Sequence, residues 1–340
     1  KNKVYGLRSF FTFFGTLLFF AMPLLPWFET NEFTPDTLKW SVMAAGLLML
    51  PMLFISIRTV PNGASISPKA LNEGDQRGNK ENLKRVLRAI VTNKPLMILT
   101  AAHICTGFGS GMWIMLLFIY VDAYLGLGAQ FALAYTVSFA VSMVALKFWY
   151  QLANHWGKQA AWVVGMVLVI MGLMATGVLV TGRTSWLELL LCMTLIFSGF
   201  ACFNLMVPSL LSDIVDYGTW KFGVDRAGTY FSLFTFVNKS VGALGGALAL
   251  AIAGWVGFDP TETIHNDAAV SGVRFAIAWI PALFILLSIF FIARIPITAH
   301  RHGIIRRRLD ARVTRVARAI KNRALSNDQA VISGKRTPAT

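Results

Sequence analysis

The chain has 340 residues, 56% of them hydrophobic and 14% charged, whereas a soluble domain is about 45–50% apolar and about 25% charged. These proportions exclude an ordinary soluble globule. A net charge of +15 would fit a protein that binds nucleic acid, but the basic residues lie between long apolar stretches and not across a polar surface. We therefore expect membrane lipid, and no nucleic acid, as their partner.

The three cysteines, Cys105, Cys192 and Cys202, lie in apolar stretches, without a C-x-x-C pair or a Cys/His cluster at metal-ligand spacing. The sequence therefore supports neither a disulfide framework nor a metal site. The chain begins at Lys1, with no methionine and no recognisable signal peptide. We expect it to be a fragment of a longer protein.

Eight apolar stretches predict membrane-spanning helices, since a helix needs about 20 apolar residues to cross about 30 Å of hydrocarbon. In chain order they are residues 9–28, 40–57, 95–121, 130–146, 160–182, 189–212, 227–258 and 275–293. Every backbone group inside hydrocarbon must be bonded within the segment, and glycine and proline are common in membrane helices. The expected fold class is an all-α membrane protein.

The basic residues sort onto one side when the connections between stretches are assigned alternately to two sides. That side contains the basic segment 58–94 and the arginine-rich tail that starts at Arg294. The other side has only three basic residues: Lys39, Arg183 and Arg274. By the positive-inside rule, we expect both ends of the chain in the cytoplasm.

The long basic connection separates two stretches from the six that follow, as in the second half of a twelve-helix carrier built from two six-helix halves. The predicted domains are the last two helices of a first bundle (1–60), a central cytoplasmic loop (61–94), a six-helix bundle (95–296) and a basic cytoplasmic tail (297–340). In the tail, apolar residues at helical spacing oppose arginines over residues 303–323. This pattern is typical of an amphipathic helix on an anionic leaflet, or it is only a solvated topology signal.

Lys239 is the only charged residue deep inside an apolar stretch. Such a charge costs at least about 2.5 kcal/mol, so by default it faces a cavity on a substrate or ion path. Snorkelling is the alternative, but the basic connection at Arg226 is about 18 Å away along a helix. No stretch has a mid-span Asp or Glu, so we expect the coupling-ion site in helices outside this chain.

Two acidic residues follow the sixth stretch, Asp213 and Asp216, with Lys221 and Arg226 shortly after them. We predict that these four residues form a cytoplasmic salt-bridge cluster. Such a cluster is able to latch one conformation of a carrier.

The pattern P-x-x-x-x-D-x-x-D-Y-G-x-W-K from Pro208, followed by F-S-L-F-T-F-x-x-K from Phe231, is specific. It is similar to the tenth and eleventh spans of the glycoside-pentoside-hexuronide:cation symporters, a family of the major facilitator superfamily. The resemblance covers nearly the whole chain and implies that superfamily's fold, with helices five to twelve of twelve present. It implies a monomeric secondary active transporter of the bacterial inner membrane, for a sugar, glycoside or sugar acid with sodium or a proton.

The same resemblance implies roles for particular residues. Lys239 matches a lysine associated with the sugar and cation sites, and Thr235 lies one turn from it on the same face. Arg8 matches an arginine that donates to sugar hydroxyls. Arg8 alone also fits a positive-inside anchor. Asn204 stands where the family's melibiose carrier has a sugar-contacting tryptophan, which argues against galactoside specificity, since an amide bonds a hydroxyl or carboxylate.

Two further residues are candidates for substrate binding. His103 is a candidate proton relay or substrate donor, or else it is hydrogen-bonded within the bundle. Trp113 is the tryptophan deep enough in a stretch to serve as a stacking platform, whereas the others fit interfacial anchoring.

Other function classes fit less well. An enzyme would ordinarily show a nucleophile with a base, paired carboxylates or a His-rich metal site, and a channel a repeated filter motif. The sequence shows neither, so we expect no enzyme. The alternative within transport is a carrier for a non-sugar anion or a lipid-like solute, because one fold serves varied substrates.

The predicted orientation is testable by cysteine labelling. Single cysteines introduced between Asn62 and Glu81 should react with an impermeant maleimide only after the membrane is opened. A cysteine at Thr184, in an opposite connection, is the control and should react in intact cells. Labelling of the first set in intact cells would show that the predicted orientation is wrong.

Overall fold

The computed structural model describes residues 2–26, 35–59, 83–260, 262, 266–297, 301–311 and 314–315. This part of the chain is helical, without strands. Its helices are α1 (Asn2–Ala21), α2 (Pro35–Thr59), α3 (Leu83–Val91), α4 (Lys94–Ile119), α5 (Gly128–Trp156), α6 (Lys158–Gly177), α7 (Trp186–Phe222), α8 (Ala227–Trp255), α9 (Asp267–Arg274) and α10 (Ile280–Ala293). One π-helical turn, Tyr120–Tyr124, extends α4, and another, Phe275–Trp279, joins α9 to α10.

Seven helical segments of the described chain are long and apolar enough to cross a membrane. They are Pro35–Thr59, Lys94–Tyr124, Gly128–Trp156, Lys158–Gly177, Trp186–Phe222, Ala227–Trp255 and Asp267–Ala293. They correspond to the second to eighth predicted stretches. The first, residues 9–28, corresponds to α1, whose apolar part Phe10–Leu24 is shorter. The protein is a multi-pass helical membrane protein.

Helix α7 is longer than the apolar stretch from which it was predicted. Ser185 and Glu188 form a capping box at its start, and it ends at Gly223, a glycine with φ 74°. The helix continues ten residues beyond the predicted end of the stretch at residue 212, so Asp213 and Asp216 lie within it. The helix persists because Ile214, among others, remains buried in the bundle beyond the predicted end of the apolar stretch.

The predicted central loop, residues 61–94, also contains a helix. Residues 60–82 lie outside the described part of the chain, and α3 occupies most of the remainder and packs against α4. Asn93 then begins α4, since its side-chain oxygen accepts a hydrogen bond from the Leu96 N–H at 3.3 Å. In the tail, residues 301–311 and 314–315 are helical, and the rest of the predicted amphipathic helix lies outside the described residues.

Helix α7 has the most central position, in contact with α1, α4, α5, α6 and α8. Helix α4 packs in turn against α8 and α10. Glycines bring these backbones together: a Cβ on Gly199 would lie 2.4 Å from the Gly165 carbonyl oxygen, and one on Gly111 2.3 Å from that of Gly242. Such close approach matters because hydrocarbon supplies no hydrophobic driving force between helices, and association depends on van der Waals packing.

The contact between α4 and α8 predicts opposite effects for two alanine substitutions. Gly111→Ala places a methyl group against the backbone of Gly242, which should cost about 1–3 kcal/mol. A Cβ on Gly242 meets nothing within 4 Å, so Gly242→Ala should be neutral or stabilising by up to about 1 kcal/mol. Thermal unfolding in detergent measures both, and equal midpoints would contradict the packing.

Candidate functional site

Polar side chains cluster on one face of α8. Thr235, Asn238 and Lys239 are exposed, whereas Phe234 and Val241 are buried on the face that packs against α4. Lys239 makes no hydrogen bond or ion pair with any residue that the structure describes. A lysine in the middle of an apolar helix is thus available to a group outside the described packing.

Arg8 and Asn204 are exposed on α1 and α7 at similar depths in the bundle. Three aromatic rings in contact mark one level along the helix axes, from which the positions of the two residues are measured. Phe13 contacts Phe139 at 5.1 Å, and Phe139 contacts Phe197 at 5.1 Å. Arg8 lies five residues from Phe13, about 7 Å along α1, and Asn204 seven residues from Phe197, about 10 Å along α7. Because α1 and α7 run in opposite directions, both residues lie on the same side of this layer.

The imidazole of His103 is enclosed by aromatic rings and is only 3% exposed. It stacks on Phe203 of α7 at 5.3 Å and lies against the tilted ring of Phe234 of α8 at 4.0 Å. The Asn238 side chain is a polar neighbour of the ring. Neither ring nitrogen has a hydrogen-bond partner of good geometry in the described structure. His103 therefore stands directly behind the polar face of α8, with its polar atoms unsatisfied.

Trp113 lies farther along α4, ten residues or about 15 Å from His103. Only 1% of its surface is exposed, and its ring packs edge-on against Phe197 at 5.2 Å. It lines a cavity of about 390 Å³ together with Phe19, Phe20, Leu38, Ile114, Leu117, Phe118, Phe131 and Tyr135. The walls of this cavity are almost entirely apolar.

The structure brings some of the predicted site residues together and separates others. Thr235 and Lys239 share a face, with His103 immediately behind it through Asn238. Trp113 belongs to a separate apolar cavity. Asn238 is a polar neighbour that the sequence analysis did not name, although it precedes Lys239 directly.

A carboxylate cluster occupies the C-terminal part of α7. Asp213 forms an ion pair with Lys158 at the start of α6 and lies 3.5 Å from His302 Nε2. Asp216 lies 2.9 Å from the same His302 nitrogen and 3.8 Å from Arg306. The cluster thus joins α6, α7 and the helical tail segment 301–311.

The two basic residues of the predicted latch have other contacts in the structure. Lys221 donates a hydrogen bond to the Thr92 carbonyl oxygen at 3.1 Å, ahead of α4. Arg226 lies over the Phe222 ring at 5.9 Å. The latch between these residues and the two carboxylates stays a prediction, whereas the contacts of the carboxylates with Lys158, His302 and Arg306 are observed.

The sequence analysis missed the roles of Lys158, His302 and Arg306. A partial signal was present, because Asp213 and Asp216 are three residues apart and His302 and Arg306 four apart, which places each pair on one helical face. The pairing of the two faces was not predictable. It depends on how the tail returns to α6, where the Gln159 side chain donates to the carbonyl oxygens of residues 295 and 297 at 2.9 Å each.

A bundle of long apolar helices with a polar face on α8 is that of a multi-pass membrane protein. Residues 1–299 match the family described as MFS/sugar transport protein, and the chain belongs to this family. Its members of known activity are transporters and not enzymes.

Several curated relatives are similar to this chain. A protein of Escherichia coli K12 named as a 2,3-dihydroxypropane-1-sulfonate exporter is 27% identical over 62% of this chain and 45% of its own length. The lactose permease of Lactobacillus delbrueckii subsp. bulgaricus is 23% identical over 83% and 44%. An E. coli K12 protein named as a sulfoquinovose importer is 25% identical over 58% and 41%. The chain therefore spans about half the length of the curated relatives that it matches.

Asp213→Asn tests the carboxylate cluster. The substitution leaves the Lys158 ammonium without its charged partner, which should lower the free energy of unfolding by about 2 kcal/mol. Asp310→Asn is the matched control, since Asp310 is exposed in the same cluster's tail segment, and should change stability by less than about 0.5 kcal/mol. Similar thermal midpoints for the two variants in detergent would contradict a stabilising pair.

Proposed function

We propose that the protein is a secondary active transporter that carries a sugar, glycoside or sugar acid by alternating access, in symport with sodium or a proton. The observation that carries the proposal is Lys239, an exposed charge in the middle of an apolar helix with no partner among the described residues. A charge in that position is costly and is retained where it binds something. Membership of a sugar-transport family supplies the kind of solute.

The substrate that we propose is a polyhydroxylated compound with an anionic group. Lys239 provides a point charge, and Arg8 provides planar donors that suit a carboxylate or sulfonate. Asn204, exposed on α7 and also bonded to the Phe200 carbonyl oxygen at 2.9 Å, has an amide that suits hydroxyl groups. Two of the relatives are named for sulfonated compounds, which supports the same substrate class.

Within this site, we assign direct contact with substrate to Lys239, Arg8, Asn204 and Thr235, all of which are exposed. Because His103 is buried, we assign it to the wall of the site behind Lys239. Its unsatisfied nitrogens lie behind the residues that we assign to direct contact with substrate. We assign no coupling residue to this chain, because its spans contain no mid-span carboxylate. We place the protein in the bacterial inner membrane as a monomer, with both ends of this chain in the cytoplasm.

A carrier for a lipid-like solute is the second candidate. The observation in its favour is the apolar cavity of about 390 Å³ beside Trp113, between α1, α4 and α5. Its volume falls in the range of ligand pockets, roughly 300–1,000 Å³. A lipid-like solute would use these walls, whereas a sugar acid would use the polar face of α8.

Lys239→Ala in the full-length carrier tests the proposal. Loss of the ammonium should weaken binding of a uronate by about 2 kcal/mol, or about 30-fold, because a bound carboxylate loses its partner. A neutral glycoside should lose less. Binding is measured by substrate protection and by counterflow of labelled uronates and glycosides in proteoliposomes.

Lys147→Ala is the matched control, since Lys147 is exposed at the cytoplasmic end of α5, outside the site. It should leave binding unchanged. The proposal fails if Lys239→Ala leaves the binding of every sugar and sugar acid unaltered. Selective binding of lipid-like solutes, blocked by bulky substitutions at Ile114 in the cavity wall, would support the second candidate.

A further inference from the structure

Arg274 is held at the end of the bundle opposite the carboxylate cluster. Its Nη2 donates two hydrogen bonds of 2.7 Å, one to the Tyr124 hydroxyl and one to the Leu179 carbonyl oxygen. Its guanidinium also lies over the Tyr124 ring at 5.5 Å. These contacts tie α9 to the segments that follow α4 and α6, so the position of the positive charge is fixed.

No carboxylate pairs with Arg274 in the part of the chain that the structure describes. Its Nε–H is shielded from solvent and has no acceptor. A guanidinium has five N–H donors; two close hydrogen bonds of Arg274 leave from Nη2, and the Tyr120 side chain is a further polar neighbour. A partly buried cation with unused donors and no counter-charge is unfavourable, and an anion in contact with it would offset this cost.

Arg274 is one of the residues that line an open pocket of about 350 Å³. The other lining residues are Gly177, Val178, Ser271, Phe275 and Trp279. Phe275 is 56% exposed and Trp279 36% exposed, with their rings 6.5 Å apart. Exposed aromatic side chains at a helix end are typical of the membrane–water interface, so the pocket lies at the level of lipid headgroups.

The two π-helical turns of the described chain meet at Arg274. Tyr124 ends the turn that extends α4, and Arg274 immediately precedes the turn that begins at Phe275. π-Helical turns are rare and frequently occur at functional sites. The presence of both turns beside Arg274, which has no carboxylate partner in the described chain, is a second observation that does not depend on the shape of the pocket.

We propose that this pocket binds the phosphate group of an anionic phospholipid from the leaflet facing away from the cytoplasm. The phosphate pairs with Arg274 and accepts a hydrogen bond from the Ser271 hydroxyl, while an acyl chain runs along Phe275 and Trp279. Free phosphate offers the same charge but gains nothing from the aromatic rings. A zwitterionic headgroup brings its own ammonium close to Arg274, so an anionic lipid such as phosphatidylglycerol is favoured. This site is separate from the substrate site proposed above.

The test measures binding of phosphatidylglycerol to the full-length protein by native mass spectrometry from detergent. Arg274→Gln should weaken binding about tenfold or more, the usual loss for a charged hydrogen bond. Ser271→Trp should do the same by filling the pocket, while it leaves the hydrogen bonds of Arg274 to Tyr124 and Leu179 intact. Arg183→Gln is the matched control, because Arg183 is exposed at the same end of the bundle, and should leave binding unchanged.

Thermal unfolding of each variant separates loss of lipid from loss of fold, and Ser271→Trp keeps the test valid if Arg274→Gln does not fold. Three results would overturn the proposal. They are unchanged lipid binding in Ser271→Trp, equal losses in Arg274→Gln and Arg183→Gln, and displacement of the lipid by millimolar inorganic phosphate, which would indicate a free-anion site. Preference for phosphatidylglycerol over phosphatidylethanolamine in the unmodified protein is the further result expected.

Discussion

Hydrocarbon offers no hydrogen-bond partner to a peptide group, and this constraint determines most of the structure. It requires helices wherever the chain crosses the bilayer, and it removes the hydrophobic drive between them, so that packing depends on close backbone approach. Glycines at the contacts of α6 with α7 and of α4 with α8 provide that approach. Helix α7 has the central position in this packing, because it contacts five other helices.

Against this apolar packing, the few charged groups are concentrated at three levels. At one end of the bundle, Asp213 and Asp216 tie α7 to α6 and to the tail. At the opposite end, Arg274 ties α9 to the ends of α4 and α6. Both ends of the bundle are held by polar contacts, whereas Lys239 at mid-membrane has none in the described chain.

How far the site was predictable depends on whether a residue acts alone or through a partner. Lys239 was identifiable because a lone charge in an apolar stretch is anomalous without knowledge of the fold. His302 and Lys158 were not, since nothing local relates a tail histidine, or a lysine at the start of α6, to α7. In the sequence Arg274 is only a topology marker, because its contacts with Tyr124 and Leu179 join segments that are far apart along the chain.

The sequence by itself determined the all-helical membrane class, seven of the spans and the family resemblance, because hydropathy and motif spacing are local properties of the chain. It did not determine where α7 ends, which carboxylate meets which cation, or that His103 lies between Phe203 and Phe234. These features depend on which faces of distant helices meet. That choice is made by the shape of packed side chains across the bundle, and no short stretch of sequence contains it.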